Sequence, residues 1–260
     1  MRRENVQSLL GGLEAPEPEK QINVVKDEHL EETLEKLSAA YKELLWMSIM
    51  TFVESGYALK TMKKLSKIDI TPQAIFEFVS RLEQQSKEKD FPYKTSSFIS
   101  ALVQHSYDAG HNNFELYLEN LNVCYLCSDL VGRTQNPIRL KLINGSGSDW
   151  FQKAKNLDVQ IIGDADGLAL IGTYLCNFEV SGSVGEYGAR GSLCSNFRLL
   201  GDVSKNFGLE STACNFIHRS ESVLDSIRKV AGKGNKYYLL KDGKEIPYNF
   251  WHKLKKRFGR

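Results

Sequence analysis

The chain has 260 residues, 42% of them hydrophobic and 25% charged, with a formal net charge of +2. This is the composition of an ordinary globular protein long enough to bury a sizeable core, and its near-balanced charge argues neither for nor against nucleic acid. The longest apolar patch, Leu44 to Val53, is interrupted by Ser48 and Thr51 and falls short of a membrane span.

Residues 1–26 read as a disordered tail, because Ala15-Pro16-Glu17-Pro18-Glu19-Lys20 is polar and its prolines oppose a helix. The start leads into no apolar run of the secretory kind. Residues 27–95 read as a helical region. Asp27 is a plausible cap, and Leu30, Leu34, Leu37, Tyr41, Leu44 and Leu45 recur at three- and four-residue steps. Gly56 ends that pattern, and Tyr57 to Ile68 predicts a second short helix. Thr71-Pro72 starts a third, with Ile75, Phe76, Val79 and Leu82 as its apolar stripe. Ser86 to Asp90 reads as a linker closed by Pro92.

Residues 96–219 read as a repeat domain with its own capping helix. Ser96 or Ser97 is expected to cap that helix, and Gly110 to end it, since glycine tolerates the left-handed backbone found there. Phe114 to Leu118, Val123 to Leu126 and Ile138 to Ile143 read as strands. The repeat then becomes explicit. Glycines fall at 163, 182 and 201, asparagines at 177, 196 and 215, and phenylalanines at 178, 197 and 216, each column stepping by 19 residues. Leu142 lies 19 before Ile161 and Val123 lies 19 before Leu142, so degenerate coils are expected upstream.

A fixed period near 20 means a solenoid. The leucine columns of a leucine-rich repeat are absent. Short apolar pairs, corner glycines and small residues instead predict a parallel β-helix. The expected class is therefore α+β: an N-terminal helical region, a short β-solenoid of 19-residue coils capped by helices, then a C-terminal hairpin and basic helix. The phenylalanines are expected to stack inside and the asparagines to form a ladder at a bend. Gly163, Gly182 and Gly201 are expected at corners of positive φ. Five cysteines are an odd number, and Cys176, Cys194 and Cys214 lie in or beside positions that read as buried. They predict core fillers in a reducing, cytoplasmic setting, not a disulfide frame.

Residues 220–260 hold a second capping helix, started by Ser220 or Ser222 and carrying Val223, Leu224, Ile227 and Val230. A hairpin about Asp242-Gly243 and a basic tail follow.

Gly110-His111-Asn112-Asn113-Phe114-Glu115-Leu116, together with the Cys176-Asn177-Phe178 and Cys214-Asn215-Phe216 coil ends, resembles uncharacterised archaeal glycine-rich β-helix proteins. Over about 140–218 the coils also look like the β-helical domain of the large glutamate synthase chain and of a formylmethanofuran dehydrogenase subunit. The resemblance implies a scaffold and supplies no catalytic residues.

Three constellations could carry chemistry. Cys124 and Cys127 form a C-x-x-C, but a structural zinc needs four ligands and no second pair exists. Asp164, Asp166 and Asp202 could line an acidic coil face suited to a glycan or small metabolite, although solvated corners are the commoner use of such residues. Trp251, Lys253, Lys255, Lys256, Arg257 and Arg260 give the tail a basic aromatic face able to meet nucleic acid or an anionic membrane. No cofactor motif is present. The leading expectation is a non-enzymatic scaffold or assembly module that binds a protein partner or itself, with no small-molecule substrate indicated.

Overall fold

The computed structural model describes residues 27–46, 65, 66, 68–82, 91–119, 121–145, 147–165, 167 and 169–248. The tail at 1–26, most of the helix expected over 57–68, the linker at 86–90, Asp166 and the basic end at 250–260 lie outside them.

Among the described residues three helices precede the sheet: α1 (Glu28–Trp46), α2 (Pro72–Ser80) and α3 (Phe91–Asp108). The Asp27 carboxylate accepts the Leu30 N–H at 3.2 Å, and the Thr71 hydroxyl accepts that of Ala74 at the same distance. Each cap satisfies a donor that the first turn leaves over. Leu34, Leu37, Tyr41 and Leu44 of α1 are buried with Ile75, Phe78 and Val79 of α2 and with Phe98, Ile99 and Leu102 of α3. Two buried polar contacts fix their register: Tyr41 to the Thr95 hydroxyl at 2.6 Å, and the Lys94 ammonium to the Leu45 carbonyl at 2.7 Å.

Helix α3 begins five residues before the expected caps. Pro92 occupies its first turn, where a missing N–H costs nothing, and the Ser96 hydroxyl bonds back to the Pro92 carbonyl instead of capping. Gly110 ends the helix as expected, with φ +112 and with Gly110 and His111 donating to the Tyr107 and Ser106 carbonyls.

The sheet has eight strands in chain order: β1 (Asn113–Tyr117), β2 (Ile138–Ile143), β3 (Leu157–Ile162), β4 (Asn177–Val180), β5 (Asn196–Leu199), β6 (Asn215–His218), β7 (Lys236–Lys241) and β8 (Lys244–Pro247). All neighbouring pairs up to β6–β7 are parallel, and β7–β8 is an antiparallel hairpin with Asp242 and Gly243 at positive φ. The protein is a β-solenoid. Its register is the 19-residue step itself: Asp158, Asn177, Asn196 and Asn215 stand opposite one another, and so do Val159, Phe178, Phe197 and Phe216.

Leu142 pairs with Ile161 as expected, but Val123 does not open a coil. Residues 123–126 form a bend and turn, and the true partner of Leu142 is Leu116. The first coil is longer, stepping from Asn113 to Arg139, and its turn lies beneath α3.

The phenylalanine column is the core. Phe178, Phe197 and Phe216 stack with centroids 5.7 and 5.5 Å apart, and Tyr237 continues the pile at 5.8 Å. Full burial of each of the three phenylalanine rings contributes about 1.5–3 kcal/mol, with a further ~0.5–1.5 kcal/mol per ring pair. The Cys/Ser/Cys column has a related logic. Cys176, Ser195 and Cys214 each point a small donor at carbonyls of the turn: Cys176 Sγ lies 3.5 Å from the Ala154 oxygen and Cys214 Sγ 3.4 Å from that of Ser192. The Ser195 hydroxyl also accepts the Cys176 N–H at 3.2 Å. Cys194, one position earlier, is exposed, contrary to the buried setting expected for it.

The glycine columns divide in a way the sequence did not show. Gly163 has φ +125, but Gly182 and Gly201 are not left-handed. A Cβ on Gly182 would lie 2.4 Å from the Gly163 carbonyl oxygen, and one on Gly201 2.3 Å from that of Gly182. These two glycines are there because adjacent coils touch. The left-handed columns lie elsewhere. Gly172, Gly191 and Glu210 have φ of 63, 63 and 60, and Leu170, Ala189 and Gly208 have 66, 57 and 74.

Both open ends are closed by polar contacts as well as apolar ones. On α3, Ser100, Gln104 and Tyr107 share one face. The Ser100 hydroxyl accepts the Cys127 N–H at 2.8 Å, and the Gln104 amide takes both the N–H and the carbonyl of Val131. Tyr107 accepts the Arg133 N–H and donates to the Asn136 carbonyl. At the other end α4 (Glu221–Val230) buries Leu224 and Ile227. Ser220 precedes it without a side-chain cap bond. His218 accepts the Ser220 N–H on Nδ1, which leaves Nε2 to donate to the Gly201 carbonyl at 2.9 Å.

Candidate functional site

Strand alternation sends Phe178 inward and its two neighbours, Asn177 and Glu179, out to the same face. Repeated along the solenoid, this builds two outward columns on the long sheet. One runs Asn113, Arg139, Asp158, Asn177, Asn196, Asn215, and the other Glu115, Lys141, Gln160, Glu179, Arg198, Ile217. They form the floor of a groove of about 1130 Å³.

Two elements wall it. Helix α2 packs on β1, with Phe76 edge-on to the outward ring of Tyr117 at 5.8 Å, and it lends Pro72, Gln73 and Phe76 to the groove. At the other end the β7–β8 hairpin curls over the face. Glu245 of β8 reaches back past Ile217 to bond Arg198 at 3.2 Å, although two strands separate them in the sheet.

The floor is held by side chains that bind one another. Asn177 Nδ2 donates to Asp158 Oδ1 and Asn196 Nδ2 to Asn177 Oδ1, both at 2.5 Å, and Asn215 donates to Asn196 in the same sense. All three amides point the same way, and the run ends on a carboxylate, the strongest acceptor available. In the second column Lys141 pairs with Glu115 at 3.2 Å, Gln160 meets Glu179 at 3.5 Å, and Arg198 bridges Glu179 and Glu245 at 3.4 and 3.2 Å. These are half-exposed contacts of modest worth for stability. Their effect is to orient the groups.

Of the candidates expected from sequence, the described ones, Cys124, Cys127, Asp164 and Asp202, lie apart from this groove. Asp164 is exposed at a corner, where its carboxylate accepts the Ser183 N–H of the next coil at 2.7 Å. Asp202 is exposed at the corresponding corner, its backbone carbonyl accepting the Val184 N–H. Neither lines the groove, and Asp166 is outside the described residues.

Cys124 and Cys127 sit in the first turn, not in a strand. Tyr125 and Cys127 there have positive φ, so the strand expected over Val123 to Leu126 does not form. Cys127 is fully buried under α3, and burial pushes its thiol well up. Nearby, the Asp149 carboxylate and then partial burial raise the Tyr125 phenol. All five cysteines are free, and among the described residues no three His, Cys, Asp or Glu side chains gather as metal ligands. The basic residues of the tail, Trp251 to Arg260, lie outside the described residues. Among the described residues no helix is long and apolar enough to cross a membrane.

Sequence reasoning saw the asparagine column as structural and missed the groove. The available signal was the Asn-Phe-Glu and Asn-Phe-Arg triplets at 177–179 and 196–198, in which two polar residues flank one buried ring.

Comparison of the chain with protein-family models, with curated proteins and with solved structures gave no match. The solenoid and its walled face therefore carry the functional argument alone.

Proposed function

We propose that this chain is a non-enzymatic binding scaffold whose working surface is the walled outer face of the long sheet. The observation that carries the reading is the groove floor, where polar side chains from β1 to β6 are fixed in register between α2 and the hairpin. Side chains anchored on strands and restrained by one another present a preorganised surface, which lowers the ordering cost of binding. Glu115, Glu179 and Glu245 are each held against a cation. That arrangement suits recognition better than proton transfer, which needs carboxyl groups of separated acidity.

Ligand-observed NMR with a library of small polar fragments tests this. The native chain is expected to bind a subset, and Gln160→Trp, which fills the middle of the groove from an exposed position, should lose that subset while melting normally. An absence of hits, or hits unchanged in the filled variant, would refute the assignment.

A further inference from the structure

We infer that the groove takes a neutral oligosaccharide chain; the inference rests on the binding-scaffold reading above and names its ligand class. Charge comes first. The groove is lined by four carboxylates, of Glu115, Asp158, Glu179 and Glu245, and three cations, of Arg139, Lys141 and Arg198. Five of these seven are already paired with one another. A nucleic acid, with a charge on every phosphate, needs a net basic track and finds none here. An acidic polymer meets the same obstacle, and a basic one gains little from carboxylates already neutralised.

The remaining hydrogen-bonding capacity says what does fit. An asparagine amide has two N–H donors and two acceptor lone pairs. Within the ladder, Asn177 and Asn196 each spend one donor and one acceptor on their neighbours. Each therefore keeps one donor and one acceptor, side by side in a fixed plane, and the pattern recurs once per coil at ~4.8 Å. Adjacent hydroxyls of a sugar ring, each both donor and acceptor, complement such a pair. An extended polypeptide is served less well. The strands of the floor spend their backbone groups on each other in the parallel ladder, so no edge lies open inside the groove for a peptide strand to join. The walls add apolar surface for the carbon faces of sugar rings: Pro72 and Phe76 on one side, and Tyr238 of the hairpin on the other.

The test is affinity electrophoresis of the intact chain in gels containing a soluble neutral polysaccharide (a glucomannan, a mixed-linkage glucan or dextran), with polygalacturonate as the acidic counterpart. In parallel, a peptide phage library is selected on the same protein. At least one neutral glycan is expected to retard the protein several-fold, with little change from low to high salt. Asn177→Ala should weaken that binding roughly ten- to a hundredfold, the loss of its free donor and its free acceptor, two neutral hydrogen bonds. Gln160→Trp should abolish it, and melting curves would confirm that both variants fold. Retardation only by the acidic polymer, or no retardation, overturns the inference. Peptides that bind the native chain but not Gln160→Trp would reassign the occupant and leave the scaffold reading standing. Ligands of either kind that bind Gln160→Trp as well as the native chain would sink both.

Discussion

Gly182→Ala separates the two explanations of the corner glycines. Gly182 has no left-handed φ to protect, so a purely conformational role predicts a neutral or slightly stabilising change. The packing explanation predicts the opposite. The added Cβ would stand 2.2 Å from Asp164 Oδ1 and 2.4 Å from the Gly163 carbonyl oxygen, whereas real Cβ contacts essentially never fall below 3.0 Å. The coils must part locally by the better part of an ångström. Two bonds bridge them at that point, Gly182 N–H to the Gly163 carbonyl at 3.0 Å and Ser183 N–H to the Asp164 carboxylate at 2.7 Å. Weakening both costs about 1 kcal/mol each, and a similar amount is lost in packing, for a total of about 3 kcal/mol. In a chain of this size that lowers Tm by roughly 6–12 °C. Gly191→Ala is the internal control. Its φ is +63 and no atom lies within 4 Å of the new Cβ, so only the left-handed penalty of about 1–2 kcal/mol applies. Calorimetry on both variants decides the matter. A Gly182→Ala protein that melts with the native chain, or above Gly191→Ala, would refute the close-contact argument.

Other expectations follow from the same structure. Phe197→Ala removes a fully buried ring that stacks on two others, and should cost about 3–5 kcal/mol in chemical denaturation. Thr71→Ala leaves the Ala74 N–H without its cap, and should cost about 1 kcal/mol while Thr71→Ser is nearly neutral. Burial raises the Cys176 thiol from 9.0 to about 11. The folded state thus holds this proton more tightly than the unfolded chain. The stability linked to it is complete below pH 9 and is lost as pH climbs toward 11, which denaturation midpoints across that window would show. At neutral pH a thiol reagent should modify exposed Cys194 well before Cys127, Cys176 and Cys214, and equal rates at all four would contradict the described burial.

The solenoid was legible because its columns repeat without slippage, and a repeat constrains register directly. Asn177, Asn196 and Asn215 could be placed opposite one another from spacing alone. The reason for each glycine was not legible. Gly182 and Gly191 are the same letter, one required by a neighbouring carbonyl and the other favoured by its own φ. Nor could Leu170, Tyr187 or Ala189 be read as left-handed, since none of these residues favours that region. Their conformation follows from bonds to adjacent coils, such as Leu170 N–H to the Trp150 carbonyl. The groove was hidden by its own irregularity. Lys141, Gln160, Glu179 and Arg198 share a column but no chemistry, and a column of dissimilar polar residues reads as solvent-facing until the hairpin is seen to fold back over it.

The 19-residue register across β3, β4, β5 and β6 also bears on how such a chain changes length. Removing residues 178–196 would join Asn177 to Phe197, two positions that already occupy consecutive places in the same strand pattern. Every later residue would inherit a neighbour of the same backbone class, because the left-handed columns share the period. A deletion of 18 or 20 would misplace all of them at once. Gain or loss of chain in this region is therefore quantised in whole rungs, and each rung added or removed changes the reach of the outer face by ~4.8 Å, one strand spacing. Homologues that differ in this way would present the same surface chemistry cut to different lengths.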